Sequence, residues 1–525
     1  VLKRFASDIL CCLLLAGLAL AVAVPAYRCN FEPHDEGFLA HGADRVLQGQ
    51  VPHRDFFSYQ PPGSFYAVGM VFTLFGESLI ALRAAGVGVA VAIVLLVYML
   101  SRQFAGALIA LAAAIPATAI GMRYFYYVPF AAWQGVLACL LAAFCVLRSG
   151  ATGGRGWAFA AGLATAAAMM LRHDQALYLV ISVAAYAATL RFAARREGGK
   201  PRPGRMIVYW MAGIATPMLP VALLCLVAGA ASDMIEQLIV YPLTVYAKTS
   251  AVPMPAIDSG LSAQENLVTL LFYLPPAVVI LTGAWLVTRV MDRRFGLCEA
   301  RVTFLTVFTG LFYCQVVTRS DMHHLLITLS PFFVLCGWWM AASAEKLRPA
   351  IAGMTVRVTH ATNAGLASTA VIVLVALAAG GSYWSYVRPA LMPALPQPSR
   401  AARIERGPIV LSPDGATYLE AVVAAITEHA PPDRSILVLP YQPVLYFLSQ
   451  RRNPTRWLYL WKGDQGEQDH RELIDQAKAD PPALILIVEP DKVRGDAPII
   501  MDWVQREYRL ADELDPISFY LPAGP

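Results

Sequence analysis

The chain has 525 residues, of which 57% are apolar and 15% charged, with a formal net charge of +5. Soluble domains carry roughly 45–50% apolar and about 25% charged residues, so this composition excludes a disordered chain, a soluble two-domain enzyme and a small disulfide scaffold. It fits a polytopic α-helical membrane protein, and the small net charge gives no reason to expect a nucleic-acid partner. Of the nine cysteines, Cys11, Cys12, Cys139, Cys145, Cys225, Cys314 and Cys336 sit in apolar runs. No Cys/His spacing suggests a zinc site.

A membrane span needs about 20 mostly apolar residues. Eleven candidate spans follow in chain order, at about 6–27, 79–100, 104–121, 129–147, 157–171, 175–191, 206–230, 267–288, 302–318, 325–343 and 364–384. The runs at 157–171 and 175–191 are short and separated only by Arg172-His173-Asp174, so they also read as one buried hairpin. The first run follows Lys3 and Arg4, as a signal peptide would. Its apolar core is long for one and no clean small-residue cleavage site precedes Tyr27, so it is expected as an uncleaved first helix.

Cytoplasmic loops carry an excess of Lys and Arg. With a cytoplasmic N-terminus, eighteen Lys and Arg fall in cytoplasmic segments and only seven in the opposite loops: Arg28, Arg45, Arg54, Arg123, Arg172, Lys248 and Arg319. The basic loop 191–205 serves topology and contact with anionic lipid heads. Topology does not explain the seven outer cations. Eleven spans put the C-terminus outside as well, so residues 1–384 are expected as the transmembrane domain and 385–525 as a separate extracytoplasmic domain. There charges are frequent, and Pro389, Pro393, Pro396 and Pro398 mark a linker. Short apolar runs (Ile409–Leu411, Ser435–Pro440, Ala483–Glu489) alternate with helical stretches at 414–429, 443–450, 466–479 and 497–508. This predicts a small α/β domain.

The first outer loop, 28–78, is too long for a connector. Its acids are Glu32, Asp35, Glu36, Asp44 and Asp55, and charges interleave with apolar residues as in helices lying along a membrane surface. Asp35 and Glu36, with His34 beside them, have the makings of a general base. Asp35 also stands where it would cap a helix at 36–48. Two further ionic clusters fall on the same side: Arg172-His173-Asp174 and Arg319-Ser320-Asp321-Met322-His323-His324. Ionisable residues near membrane depth are expensive and point to function; Arg–Asp pairs that satisfy each other are the alternative. Adjacent His323 and His324 point in different directions from a helix, so no metal ligands are assigned, although a divalent metal is left open. The outer loop 231–266 looks like a cover, and its Lys248 either meets a phosphate or is solvated. No nucleotide-binding or Gly-x-Ser-x-Gly signature is present, and no cofactor is expected.

The order of these features resembles the GT-C class of integral-membrane glycosyltransferases. The loop opens with Asp35-Glu36-Gly37, continues with Gly-x-x-Pro-x-x-Asp-Phe from Gly49 to Phe56 and Pro61-Pro62-Gly63, and ends in Phe75-Gly76 before Arg83. The branch it is similar to is the protein O-mannosyltransferase and aminoarabinose-transferase-like group, with its RgtA/B/C/D-like bacterial enzymes. The resemblance is strongest over 1–180. It implies a polyprenyl-phosphate-sugar donor bound from the outer leaflet of a bacterial inner membrane, with the C-terminal domain in the periplasm. The acceptor would be an envelope glycan, a lipid or a protein hydroxyl. By motif it carries the catalytic acid to Asp35, with Glu36 as neighbour and Asp55 as a second acidic candidate.

Lipid phosphate is a competent leaving group that needs cations to hold its growing charge. Arg172, Arg319, Lys248 and Arg54 are expected in that role, with Arg123 a further outer cation. His34, His173, Asp174, Asp321, His323 and His324 are supporting residues. Asp35 would take the acceptor's proton in an inverting single displacement. The main rival is a transporter or lipid flippase, although no paired halves are evident. A scaffolding subunit is a third reading, and a ligase using a lipid-diphosphate donor would need more cation at the site.

Overall fold

The computed structural model describes residues 2–119, 122, 126–196, 203–258, 260, 262–352, 398–460, 463 and 465–523. Among them, eight helices are long and apolar enough to cross a membrane, and each coincides with one of the expected spans. In chain order the first nine helices are α1 (Leu2–Ala23), α2 (Asp35–Leu47), α3 (Gly63–Phe75), α4 (Leu79–Ser101), α5 (Ala107–Ala119), α6 (Ala131–Thr152), α7 (Arg155–Leu171), α8 (His173–Arg196) and α9 (Pro203–Val227). Short helical and π-helical turns over 231–249 include α10 (Ala231–Ile235) and α11 (Ala247–Thr249), and α12 (Ala263–Met291), α13 (Leu297–Phe312), α14 (Cys314–Thr318) and α15 (Met322–Ala352) follow.

Two expected spans are described as shorter helices: 13 residues of α5 are described, and α7 has 17, the lower end of the spanning range. The expected span at 364–384 lies outside the described residues. Residues 157–191 fall on two adjoining helices, α7 and α8. Arg172 is extended (φ −155°, ψ 93°) and separates α7 from α8.

The bundle closes through small residues. Gly162 on α7 and Gly213 on α9 face each other so tightly that a Cβ on either would overlap the other helix's backbone, the close approach that small residues allow between membrane helices. Large apolar side chains are exposed on the outside of the bundle, including Leu108, Val208, Leu219, Leu223, Leu224 and Ile280. In water such a belt would be a liability, whereas hydrocarbon is its natural solvent.

The first loop holds α2 and α3 between α1 and α4. The C-terminal segment carries β1 (Arg400–Ala401), β2 (Val410–Leu411), β3 (Ile436–Leu439), β4 (Leu484–Val488), β5 (Tyr508–Leu514) and β6 (Ile517–Pro522). Its helices are α16 (Pro413–His429), α17 (Val444–Ser449), α18 (Glu467–Ala479), α19 (Pro490–Asp496) and α20 (Pro498–Glu507). The four-stranded sheet has the order β3-β4-β6-β5, with β3 and β4 parallel and the rest antiparallel. The expected apolar runs supply β2, β3 and β4. The β5–β6 hairpin is an addition to the sequence reading. Its outer strand is mostly exposed and so lacks an apolar run to announce it.

This segment is seated on the first loop by backbone bonds. Val410 N–H donates to Arg28 O at 2.7 Å, Asn30 N–H to Val410 O at 3.0 Å, Leu79 N–H to Arg406 O at 2.8 Å and Phe57 N–H to Arg456 O at 2.9 Å. Arg406 also pairs with Asp44 and Glu77, and Arg45 donates to Thr455 O at 3.0 Å. Stacking of Phe72 on Phe447, 5.3 Å between centroids, adds apolar contact. First loop and C-terminal segment therefore share one face of the bundle.

Candidate active site

Glu32 does the capping that the spacing assigned to Asp35. Its Oε2 accepts the Glu36 N–H at 2.8 Å and its Oε1 the His34 N–H at 3.2 Å. The helix begins at Asp35 itself, and the residue before it, His34, makes no side-chain cap. Three consecutive residues then leave α2 in three directions, since each step turns about 100°. Asp35 faces a cavity and accepts a hydrogen bond from Tyr441 Oη at 2.6 Å. Glu36 faces inward, where Arg83 Nε and Nη2 grip its carboxylate at 2.6 Å each with both side chains fully buried. Gly37 meets the start of α17 so closely that a Cβ would overlap Val444.

The cavity holds about 460 Å³. Its first wall is Glu32, His34, Asp35, Phe38 and Tyr59 from the first loop. Arg172 forms a second, and Arg319, Asp321, His323 and His324 a third. Tyr246 and Ser250 come from the loop after α9, and Tyr441 and Tyr459 from the C-terminal segment. The three ionic clusters thus converge.

The two arginines occupy the same kind of turn. Each is an extended residue between two helices, with φ/ψ of −155°/93° at Arg172 and −146°/100° at Arg319. Each donates Nε to the carboxylate two residues on, Asp174 at 2.8 Å and Asp321 at 2.7 Å. Nε is thereby spent on orientation, and the terminal nitrogens are left for another partner. Arg319 Nη1 reaches Tyr246 Oη at 3.4 Å. Arg172's terminal nitrogens have no protein partner among the described residues. The Arg–Asp pairs foreseen as an alternative to function do form, and they point both guanidinium residues at one cavity.

The carboxylates are tuned apart. Asp35 is open to the cavity, but the protein crowded around it strips solvent from its carboxyl and pushes it above the ordinary carboxylate value; the charge of Glu32 adds to this, while Tyr441, His34 and Arg319 pull back. Burial also acts upward on Glu32, but hydrogen bonds from His34 and the Glu36 N–H outweigh it and hold Glu32 low. Asp321 is likewise held well below the usual range against its burial, by bonds from His324 and the charge of Arg319. Among the carboxyls that line the cavity, the one with raised proton affinity is Asp35, the pattern expected of a general base; burial also pushes Glu36 up, but Arg83 closes it off from the cavity.

Several expected residues lie elsewhere. Glu36 does not reach the cavity. Asp55 is held by Arg54 at 2.7 Å and by the Val51 N–H at 2.7 Å, which keep it low. Neither Arg54 nor Asp55 lines the cavity, and Arg54 also donates to Ala228 O at 3.1 Å. Lys248 is exposed and away from the cavity wall. Asp174 acts only through Arg172, and half-buried His173 is not on the wall. Arg123 lies outside the described residues. Among the described residues no three His, Cys, Asp or Glu side chains are grouped as metal ligands.

Tyr59, Tyr441 and Tyr459 line the cavity without having been singled out by any local pattern. For Tyr441 a signal existed: it directly follows the Ser435–Pro440 run, at the carboxyl end of a parallel strand, where ligand sites of α/β units gather.

No protein-family model matches the chain, and no curated protein matches it. Among solved structures, it is similar to the crystal structure of ArnT from Cupriavidus metallidurans bound to undecaprenyl phosphate, with 14% identity, a TM-score of 0.57 and 97% of each chain covered. It is also similar to the archaeal oligosaccharyltransferase AglB from Archaeoglobus fulgidus in complex with an inhibitory peptide and a dolichol-phosphate. There the identity is 9%, the TM-score 0.54, and coverage 98% of this chain and 74% of that one. The likeness is one of fold: the chain has the GT-C-like fold of polytopic membrane glycosyltransferases.

Proposed function

We propose that the chain is a glycosyltransferase that moves a sugar from a polyprenyl-phosphate donor to an acceptor hydroxyl. The observation that carries this reading is one cavity of about 460 Å³ lined by a carboxyl of raised proton affinity, Asp35, and by two guanidinium residues, Arg172 and Arg319. The lipid-phosphate ligands of the two similar structures support the donor class.

In this reading the acceptor oxygen attacks the anomeric carbon and its proton passes to Asp35. The bond from that carbon to the phosphate oxygen breaks, and the electron pair leaves on the lipid phosphate. Arg172 and Arg319 hold the growing negative charge; planar guanidinium is suited to bidentate phosphate contact. Attack opposite the departing group inverts the anomeric centre. Asp35 is the general base, and Glu36 acts on it only by anchoring the first turn of α2. Asp55, Arg54, Lys248 and His173 take no part in the chemistry. Residues 1–384 serve as the catalytic membrane domain and 385–525 as its periplasmic partner, in a bacterial inner membrane with the N-terminus cytoplasmic.

A base works ionised, so activity falls as the pH drops through the Asp35 midpoint. Because that midpoint is raised, the acid limb lies above the ordinary aspartate range. The test is turnover by purified protein with polyprenyl-phosphate sugars, with Asp35→Asn beside the wild type. Transfer lost in the variant while donor still binds supports the reading. Full transfer by Asp35→Asn refutes the base, and absence of donor binding refutes the transferase.

A further inference from the structure

We infer that Tyr441, delivered by the C-terminal segment, is a positioning residue for the Asp35 carboxylate, so that this segment completes the active centre. The inference rests on the proposed role of Asp35 and extends it to a residue on a distant part of the chain. Tyr441 Oη donates to Asp35 Oδ1 at 2.6 Å. The tyrosine ring lies 5.2 Å from the His34 ring and 5.3 Å from that of Tyr459. Phenol and ring are thus both engaged at the cavity wall.

The tyrosine is held from both sides. Before it, Pro440 O accepts the Leu460 N–H at 2.7 Å, which ties the end of β3 to the strip carrying Tyr459. After it, α17 starts at Val444 against Gly37, two residues beyond Asp35. Tyr446 then stacks on His41 of α2 at 4.7 Å, and its Oη accepts the Val438 N–H at 2.7 Å. The segment 438–446 is therefore clamped onto the first two turns of α2, the helix that presents Asp35. A surface tyrosine that had swung into the cavity would show none of this support.

Two consequences follow for the carboxylate. With Oδ1 occupied, Oδ2 is the oxygen left for the acceptor's proton, and among the described residues it accepts no hydrogen bond. The donated bond also favours the ionised form. It opposes burial and the charge of Glu32, together with His34 from the same loop and Arg319 from across the cavity. Asp321 and His324 stand on that opposite wall and are paired with each other; Arg172, His323 and Tyr246 also line the cavity, and Tyr59 and Gln60 are the other polar neighbours from the first loop.

The test is Tyr441→Phe, which keeps the ring and removes the donor. The Asp35 titration is read by infrared difference spectroscopy, comparing each protein with its Asp35→Asn counterpart. The midpoint is expected to rise by about one pH unit, a tenfold change in proton affinity, as for loss of a hydrogen bond to a charged group. The acid limb of kcat moves to higher pH by the same amount, with the donor KM unchanged. Tyr459→Phe, which alters the neighbouring phenol and leaves the Tyr441–Asp35 bond intact, leaves the midpoint in place. An unmoved Asp35 midpoint in a folded Tyr441→Phe protein overturns the inference. The infrared reading needs no turnover, so a wild type inactive on every lipid-phosphate sugar refutes the proposed function while the role of Tyr441 is still decided.

Discussion

Replacing Glu36 by glutamine tests whether the second carboxyl of the Asp-Glu pair acts in the chemistry or holds the first in place. Glu36 and Arg83 are both fully buried and joined by two contacts of 2.6 Å. Arg83 Nη1 also donates to the carbonyls of Tyr27, Cys29 and Asn30 at 3.0–3.3 Å. Removing one charge leaves the other buried and uncompensated, at a cost of about 3–5 kcal/mol. Glu36→Gln and Arg83→Gln are each expected to lose that much stability, and activity with it, because the turn that Glu36 anchors carries Asp35. The double variant leaves two neutral amides, able to bond each other and to keep a donor for the carbonyls. It is expected to regain most of the lost stability and a large part of the activity, a strongly non-additive cycle. Unfolding in detergent at a fixed heating rate and single-turnover transfer read the two quantities. A double variant as stable as the wild type yet as inactive as Asp35→Asn would show that the Glu36 carboxylate is chemical, and the assignment from geometry would fall.

Gly37→Ala is expected to push α17 off α2, with an overpacking cost of about 1–3 kcal/mol and a fall in kcat through displaced Tyr441; unchanged stability and turnover would contradict the close approach. Arg172→Ala and Arg319→Ala each weaken donor binding about 10- to 100-fold, as expected for lost charged hydrogen bonds, and lysine restores little of it because it lacks the planar fork. Direct binding of polyprenyl phosphate reads this effect. Gln237→Leu removes the bonds that tie the loop after α9 to His53 and Ser58. Limited proteolysis between 231 and 258 should quicken in that variant, while wild-type rates would mean the loop is held elsewhere.

What the sequence revealed, and what it hid, follows from the range of the forces involved. Membrane spans rest on local composition, so eight of them are legible from runs of apolar residues. The charged clusters at 172–174 and 319–324 stand out because charge near hydrocarbon is costly, and alternation of the helices is enough to place them on one side. Which charges meet is a different matter. Arg54 and Asp55 are adjacent and satisfy each other, so proximity in sequence removed them from the cavity. Lys248 sits on the loop whose Tyr246 and Ser250 reach the cavity wall, and nothing local distinguishes which of these side chains turns inward.

The Asp35-Glu36-Gly37 run shows where such reading stops. As a motif it suggests a pair of acids working together. On a helix the same three residues are separated by about 100° steps, so they cannot share a task. One is left with open space, one with a buried guanidinium, and one with another chain segment's backbone. The partners that decide this, Arg83, Val444 and Tyr441, lie about 50 and 400 positions away in a chain that folds back on itself, a separation no local pattern encodes. Glycine is the clearest instance. Read alone, Gly37 is a weak residue for the first turn of a helix. Against Val444 it is the residue that lets the C-terminal segment come close enough to place a phenol on the carboxylate two positions earlier. The motif therefore describes a junction, at which the proposed base, its anchor and its covering segment are fixed by one turn of helix.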